Sequence, residues 1–244
     1  MNGCDISIII PVFHEEELIS EAVDALNRQV FDGQFEIIVV DGDPYGRSLK
    51  AIRNPHAVKV RSEKGRGRQM NRGARIARGE VLLFLHVDTE LPLDGLTRIR
   101  SVMRDEGCVG GSFDLGIRSD RLCFRLIERV ACLRSRLTRI PYGDQAIFLR
   151  RDFFFGLGGF RELPLMEDVD LMRRIRRSKK RIHMMRDKVK TSARRWEREG
   201  IVYCTLRNWT VTLLYFLGVS PVRLARFYTT GNAQERLETR VRIR

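Results

Sequence analysis

The chain has 244 residues, 43% of them hydrophobic, which is enough to bury a sizeable core as one large domain with a C-terminal extension and argues against disorder. Its five cysteines (Cys4, Cys108, Cys123, Cys132, Cys204) are widely spaced and lack a C-x-x-C pair, so neither a disulfide framework nor a zinc site is suggested. The formal charge of +14 is local: residues 1–170 carry 25 Lys/Arg against 26 Asp/Glu, residues 171–198 carry 13 against 2, and residues 223–244 carry 6 against 2.

In chain order, residues 6–12 are a predicted strand. Residues 15–29 place Leu18, Ile19, Ala22, Val23 and Leu26 at helical spacing. Residues 35–40 are a second strand running into Asp41-Gly-Asp-Pro44, and residues 58–61 a short third. Gly65-Arg-Gly-Arg-Gln-Met-Asn-Arg-Gly73 opens a helix through Ala77, and residues 81–87 form a fourth strand. This alternation is the pattern of βαβ units and a largely parallel sheet, with four polar strand ends in a row. The fourth end is the most informative, because a wholly apolar run stops at His86-x-Asp88. Open α/β sheets bind ligands outside the carboxyl ends of such strands, although an aspartate there also serves as a plain turn cap.

Beyond Pro92 the spacing predicts a strand over 110–115 that turns across the sheet, an amphipathic helix over 122–137, a strand over 145–149, and a long helix opened by residues 164–170. Residues 201–219 are apolar but interrupted by Arg207 and Asn208. A central charge costs a spanning helix about 2.5–3.5 kcal/mol, so a packed or interfacial helix is expected there. With no repeat or low-complexity linker, residues 1–200 are expected to be one domain and 201–244 a helical, membrane-associated extension. Pro11 follows the first apolar run too closely for a signal peptide, so a cytoplasmic protein is expected.

The carboxylates at Asp41, at Asp88 and at Glu167-Asp168 would, if they converge on one sheet edge, suit a hard divalent cation, a nucleoside group and a proton acceptor. Each also has a plain reading: Asp41-Gly42 as a turn, Glu167-Asp168 as favourable charge in a first helical turn. The glycines at 65 and 67 fit a phosphate approach or a tight turn. There is no P-loop, no G-x-G-x-x-G after the first strand and no G-x-S-x-G, which argues against a nucleoside triphosphatase, a dehydrogenase and an α/β-hydrolase. The basic segment 171–198 suits nucleic acid, anionic lipid or a diphosphate, and Arg173, Arg174, Arg176 and Arg177 read equally well as a solvated helix face.

Ile8-Ile-Ile-Pro-Val-Phe-His-Glu-Glu16, Val39-Val-Asp-Gly42, Leu83-Phe-Leu-His-Val-Asp88 and Met166-Glu-Asp168, in this order and spacing, resemble the family 2 glycosyltransferases of the GT-A fold over roughly residues 5–230. Pro141-Tyr-Gly-Asp-Gln145, Gly158-Gly-Phe160, Thr191-Ser-Ala-Arg-Arg-Trp-Glu197 and Leu217-Gly-Val-Ser-Pro221 look most like the bacterial arsenosugar-biosynthesis glycosyltransferase subgroup. The resemblance implies a Rossmann-like nucleotide-diphospho-sugar transferase with a mostly parallel central sheet and C-terminal helices. It implies inverting transfer from a nucleotide-diphosphate sugar to an acceptor, small or lipid-linked, with Asp168 as general base beside Glu167. Asp88 matches the last acid of the D-x-D motif, which holds Mn²⁺ or Mg²⁺ on the donor diphosphate. Asp41 matches the base-contacting acid, with Glu15 beside it, and Pro11, Arg66, Asn71 and His86 fall in the same donor-nucleotide region. Asp144, Gln145 and the Arg195-Trp196 pair match the diphosphate and acceptor side.

Two departures stand out. Asp41-Gly-Asp-Pro-Tyr-Gly46 differs from the family's usual run and leaves the nucleotide base open. His86 replaces the first acid of D-x-D, where a neutral imidazole suits Mn²⁺ better than Mg²⁺ or simply packs at the strand end. The expected partners are a nucleotide sugar and a peripheral contact with the inner face of a membrane, with no nucleic acid. The rival readings are a non-catalytic GT-A-like module that binds polyanions or anionic membrane through 171–198, and a sugar nucleotidyltransferase.

Overall fold

The computed structural model describes residues 4–230, so residues 231–244 of the expected C-terminal extension lie outside the described residues. The first strand, β1 (Ile6–Val12), is apolar on both faces. Ile8 and Ile10 pack with Ile19, Val23 and Leu26 of helix α1 (Glu16–Asn27) on one side. Ile9 packs on the other side, in the cluster that holds Met70 and Ala74 of helix α3 (Arg66–Ile76). This two-sided cover explains why the strand reads as an unbroken apolar run. It also needs Gly73 in α3, where a Cβ would lie 2.6 Å from Ile9 Cγ2.

Strands β2 (Phe35–Asp41), β3 (Val58–Arg61) and β4 (Val81–Phe84) join β1 in a parallel block, with a short helix α2 (Arg47–Ala51) between β2 and β3. β4 is shorter than the expected 81–87. Leu85 still donates its N–H to Ile9 O at 3.0 Å, after which the chain turns, with Thr89 N–H on His86 O at 3.0 Å. His86 and Asp88 therefore sit in a turn beyond the strand and not on the strand itself.

The second half of the sheet is mixed. β5 (Thr89–Glu90), β6 (Cys108–Arg118), β7 (Ile147–Arg150) and β8 (Arg181–Ser192) complete the order β3-β2-β1-β4-β7-β6-β8-β5. β7 runs antiparallel to both β4 and β6, while β6 and β8 are parallel. β6 extends beyond the expected 110–115, and β7 begins at Ile147 because Gly143–Gln145 forms a 3-10 turn. Helices α4 (Gly95–Met103), α5 (Leu122–Thr138) and α6 (Arg151–Gly156) flank these strands, and α7 (Glu167–Arg177) is an 11-residue helix, not a long one.

The basic segment is consequently divided between the end of α7, strand β8 and helix α8 (Arg194–Glu199). Several α7 arginines are occupied within the fold. Arg174 holds Asp170 and Leu157 O, each at 2.8 Å, Arg176 donates to Thr138 O at 3.1 Å, and Arg173 lies 5.1 Å over the Tyr215 ring. Helices α9 (Ile201–Phe216) and α10 (Pro221–Thr230) close the described chain. Among the described residues no helix is long and apolar enough to cross a membrane. Arg207, the charge that interrupts the apolar run, turns inward to pair with Glu199 at 2.5 Å, with the Tyr228 ring 4.3 Å from its guanidinium.

Candidate active site

The carboxyl ends of β1 and β4 open into a cleft with about 260 Å³ of water-accessible space. Pro11 and the His86–Asp88 turn lie at its floor. Glu15, before the first turn of α1, and Arg66, the first residue of α3, form one wall. The rest of the lining combines Tyr142 to Asp144, the first turn of α7 with Asp168, the Arg194 to Trp196 stretch of α8, and Asn208, Val211 and Thr212 of α9. Tyr228 of α10 also lines the cleft.

Carboxylates dominate the interior, and three arginines moderate them. Arg194 Nη2 contacts both oxygens of Glu15 at 3.0 Å and lies 3.6 Å from Asp88 Oδ2, so one guanidinium bridges two acids from different elements. Asp88 keeps 25% of its side chain exposed to the cleft. Arg66 pairs with the nearly buried Glu167 at 3.3 Å. Burial raises the Glu167 carboxyl above its ordinary range, against the pull of Arg66. Asp168 is fixed through both oxygens: Oδ2 accepts the Gly143 N–H at 2.6 Å and Oδ1 the Val169 N–H at 2.7 Å. Met166, immediately before this helix, adopts the left-handed region (φ +67°) that side chains avoid unless the surroundings impose it.

Asp144 has no side-chain hydrogen bond among the described residues. Burial pushes its pKa up to about 6, Arg134 opposes this, and the neighbouring Asp168 and Asp88 add to it. His86 is driven the other way: burial first, then Arg66 and Arg195, hold its pKa well below 6.5, so the imidazole is neutral at pH 7. The ring sits so close to the 142–144 turn that a Cβ at Gly143 would lie 2.8 Å from His86 Nε2, which explains the glycine there. Trp196 packs edge-on against Phe124 at 5.8 Å, and its buried Nε1 has no partner. Arg195 donates to Tyr228 Oη at 2.8 Å.

Three of the residues expected at the site stand behind its walls. Asn71 is consumed by the Phe160 backbone, donating to its O at 2.8 Å and accepting from its N at 2.9 Å. Gln145 is buried, with Oε1 on Ser135 Oγ at 2.6 Å and Nε2 donating to Phe113 O at 3.1 Å. Asp41 is completely covered. Its Oδ1 accepts the Asp43 N–H at 2.9 Å, while Oδ2 is a buried acceptor without a hydrogen-bond partner among the described residues. Pro11, Glu15, Arg66, His86, Asp88, Asp144, Glu167, Asp168, Arg195 and Trp196 do line the cleft.

Sequence reasoning missed Arg194, Tyr142 and Tyr228. Arg194 adjoins the Arg195-Trp196 pair and Tyr142 lies in the Pro141–Gln145 run, so both were within reach of quoted motifs, whereas Tyr228 carried no signal outside the fold. It also missed the cluster beside β2. There Asp43, 1% exposed, pairs with Arg47 at 2.8 Å, whose hydrogen bond holds the acid well below the usual carboxylate range, and Arg47 reaches His14 Nε2 at 2.7 Å.

An Asp88 carboxylate open to the cleft fits a cation held mainly by substrate phosphates, because Mg²⁺-type sites commonly use one or two carboxylates plus phosphate oxygens. Among the described residues no three His, Cys, Asp or Glu side chains are grouped to hold a metal by themselves.

The sequence profile of Glycosyl transferase family 2 matches residues 7–163. A Bacillus spizizenii poly(ribitol-phosphate) beta-glucosyltransferase is 35% identical over 103 residues, 38% of this chain and 16% of that protein. A PGL/p-HBAD biosynthesis glycosyltransferase of Mycobacterium bovis is 31% identical over 179 residues, 63% of this chain and 62% of that one. The chain thus spans less than two thirds of these relatives. Among solved structures, a Pyrobaculum calidifontis mannosyltransferase in complex with GDP-Man and Mn²⁺ superimposes with a TM-score of 0.60 at 20% identity, covering 76% of this chain and 56% of that one. S. aureus TarS 1–349 in complex with UDP-GlcNAc superimposes with a TM-score of 0.59 at 20% identity, covering 77% and 58%. These likenesses establish the α/β GT-A fold with its mixed, mostly parallel sheet and C-terminal helices.

Proposed function

From a chain that belongs to glycosyltransferase family 2, we propose an enzyme that moves a sugar from a nucleotide-diphosphate donor to an acceptor hydroxyl with inversion at the anomeric carbon. The observation that supports this reading is the convergence of these carboxylates and arginines in one cleft. Asp168, held by two backbone N–H groups, lines the same cleft as Glu15, Arg66, His86 and Asp88. The acceptor oxygen attacks the anomeric carbon as the bond to the diphosphate breaks, and Asp168 takes the hydroxyl proton. Arg66 and Arg195 offset charge on the leaving diphosphate, and Glu167 keeps Arg66 in place. Asp88, with neutral His86 beside it, would hold a Mn²⁺ or Mg²⁺ ion, which when bound neutralises the diphosphate. Arg194, 3.6 Å from Asp88 Oδ2, would have to give up this contact for Asp88 to hold such an ion.

Asp41 is the proposed base contact through its partnerless Oδ2. Because that carboxylate is covered, the contact requires Asp41 to become accessible. Asn71 and Gln145 act indirectly, by fixing the 158–160 loop and the 142–145 turn. The finer assignment to the arsenosugar-biosynthesis subgroup, a cytoplasmic location and a peripheral membrane contact through residues 201–219 belong to the same proposal. Residues 1–200 would form the catalytic domain and 201–244 its extension.

A panel of UDP-, GDP-, ADP- and TDP-sugars with and without Mn²⁺ tests it by thermal shift, since a ligand of the folded state raises the melting temperature. At least one sugar nucleotide should raise Tm with Mn²⁺, and Asp88→Ala should remove the metal-dependent part. No shift with any donor, or pyrophosphate instead of a nucleoside diphosphate among the products, would sink the assignment.

A further inference from the structure

Helices α5 and α9 each bury one face and leave the opposite face apolar and open. On α5 the buried face is Phe124, Glu128, Cys132 and Ser135, and half a turn away Leu122, Leu126, Leu133 and Leu137 are exposed, Leu122 to 85%. On α9 the buried face is Cys204, Arg207, Val211 and Tyr215. The outer stripe is Val202, Leu206, Trp209, Leu213 and Leu217, with Leu213 60% exposed. A surface helix of a soluble domain ordinarily turns polar side chains outward, so two such stripes mark an interaction surface.

The two helices are neighbours. Ile127 and Ala131 of α5 and Ile201 of α9 pack against the same small cluster of Phe124, Cys132 and Ala193, and Tyr142, just after α5, donates its hydroxyl to Thr212 of α9 at 2.9 Å.

The charge pattern identifies the occupant. From residue 200 to 230 there is no Asp or Glu. The single acid of α5, Glu128, is buried between Arg125 and Lys188. Exposed Arg121 and Arg129 at α5 and Arg223 in α10 make no ion pair among the described residues. The stripes carry no carboxylate of their own, and the exposed Asp120 lies beside Arg121 just before α5. Apolar stripes with arginines nearby are the complement of an anionic bilayer surface, on which an amphipathic helix lies in the interface without crossing.

We propose that α5 and α9 together form a docking face for an anionic bilayer. This deepens the peripheral contact proposed above by adding α5 and by fixing the orientation of α9. The cleft-lining residues Asn208, Val211 and Thr212 occupy the other face of α9, so docking holds the cleft about 10 Å, one helix diameter, from the lipid surface. An acceptor hydroxyl on a membrane amphiphile is then within reach of Asp168.

The full chain would be sedimented with vesicles of phosphatidylcholine alone and of equal parts phosphatidylcholine and phosphatidylglycerol. Binding to the anionic vesicles should exceed binding to the neutral ones by about tenfold or more. Leu126→Glu with Leu133→Glu, and separately Leu206→Glu with Leu213→Glu, should each reduce it by about tenfold at unchanged melting temperature. Acyl chains brominated near the headgroup should quench the tryptophan emission, and Trp209→Phe should abolish most of that quenching. The proposal is overturned by a protein that stays in the supernatant, by binding that salt removes while the glutamate variants bind normally, by sensitivity confined to one helix, or by a lipid-free dimer that the same substitutions dissolve. Donor-induced thermal shifts measured in parallel separate these outcomes: a normal Mn²⁺-dependent shift with no vesicle binding sinks the docking face and leaves the transferase reading standing.

Discussion

The wall that carries Glu15 and Arg66, with the floor of Pro11, His86 and Asp88, is built from the ends of parallel strands and the starts of helices. The second part of the lining, Tyr142, Asp168, Trp196, Asn208 and Thr212, is drawn from one turn and three helices scattered over seventy residues of chain. The first is positioned by backbone pairing, because β1 and β4 are locked in register from Ile6 to Phe84. The second is held by single polar contacts between elements: Gly143 to Asp168, Tyr142 to Thr212, Arg195 to Tyr228. A strand end inherits the rigidity of its sheet, whereas a wall made of cross-links can be altered one bond at a time.

The sharpest way to break this comparison is Asp168→Asn, which can keep the Gly143 hydrogen bond, gives up the one from Val169 N–H, and removes the proposed base. Turnover, read as nucleoside diphosphate released, should fall by about 10²–10⁴ while donor affinity stays near wild type. A variant that loses both equally would place Asp168 on the donor side. Asn71→Ala tests the opposite expectation. It strands two backbone groups of Phe160 and should lower stability by about 1–3 kcal/mol in denaturant titration, with donor affinity unchanged once the protein is folded. Weakened donor binding at intact stability would return Asn71 to the nucleotide site.

The smallest effect is expected at Asp144. Its carboxyl titrates near 6 instead of the ordinary 3.8, so the folded state holds a proton that the unfolded chain has released. Stability must then fall as pH rises through that window and stay lower above it. Asp144→Asn should flatten this slope and raise Tm by a few degrees at pH 7 but not at pH 4. An unchanged pH profile would mean that the charge of Asp144 is already compensated.

The parallel half of the sheet was legible because its signal is local. Strands covered on both faces are continuous apolar runs, and their polar ends named Asp41 and Asp88 directly. Even there β4 stops at Phe84, although Leu85 beyond it is still apolar and buried, because the chain turns from His86 to Thr89. Strand β8 was hidden: Arg181 to Ser192 alternates basic with apolar residues, and the charge drew the reading toward a helix face or a binding patch. Its register against β6 is what forms it.

Arg207 illustrates the same limit. In sequence it is a charge breaking an apolar segment, and only the fold reveals that it turns inward to Glu199 and Tyr228, so the outer face of α9 carries no charge at all.

The sequence by itself determined the α/β alternation, the order of the carboxylates and the family to which they belong, because those depend on periodicity and on motifs a few residues long. Which of those residues meet in the cleft was decided by tertiary structure. Asp41, Asn71 and Gln145 carry the right motif spacing yet spend their polar atoms on neighbouring backbone or lie fully covered, whereas Arg194, Tyr142 and Tyr228 reach the cleft from distant elements. Spacing along a chain fixes which side chains are available, and packing fixes which of them still have a lone pair or a proton to offer a substrate.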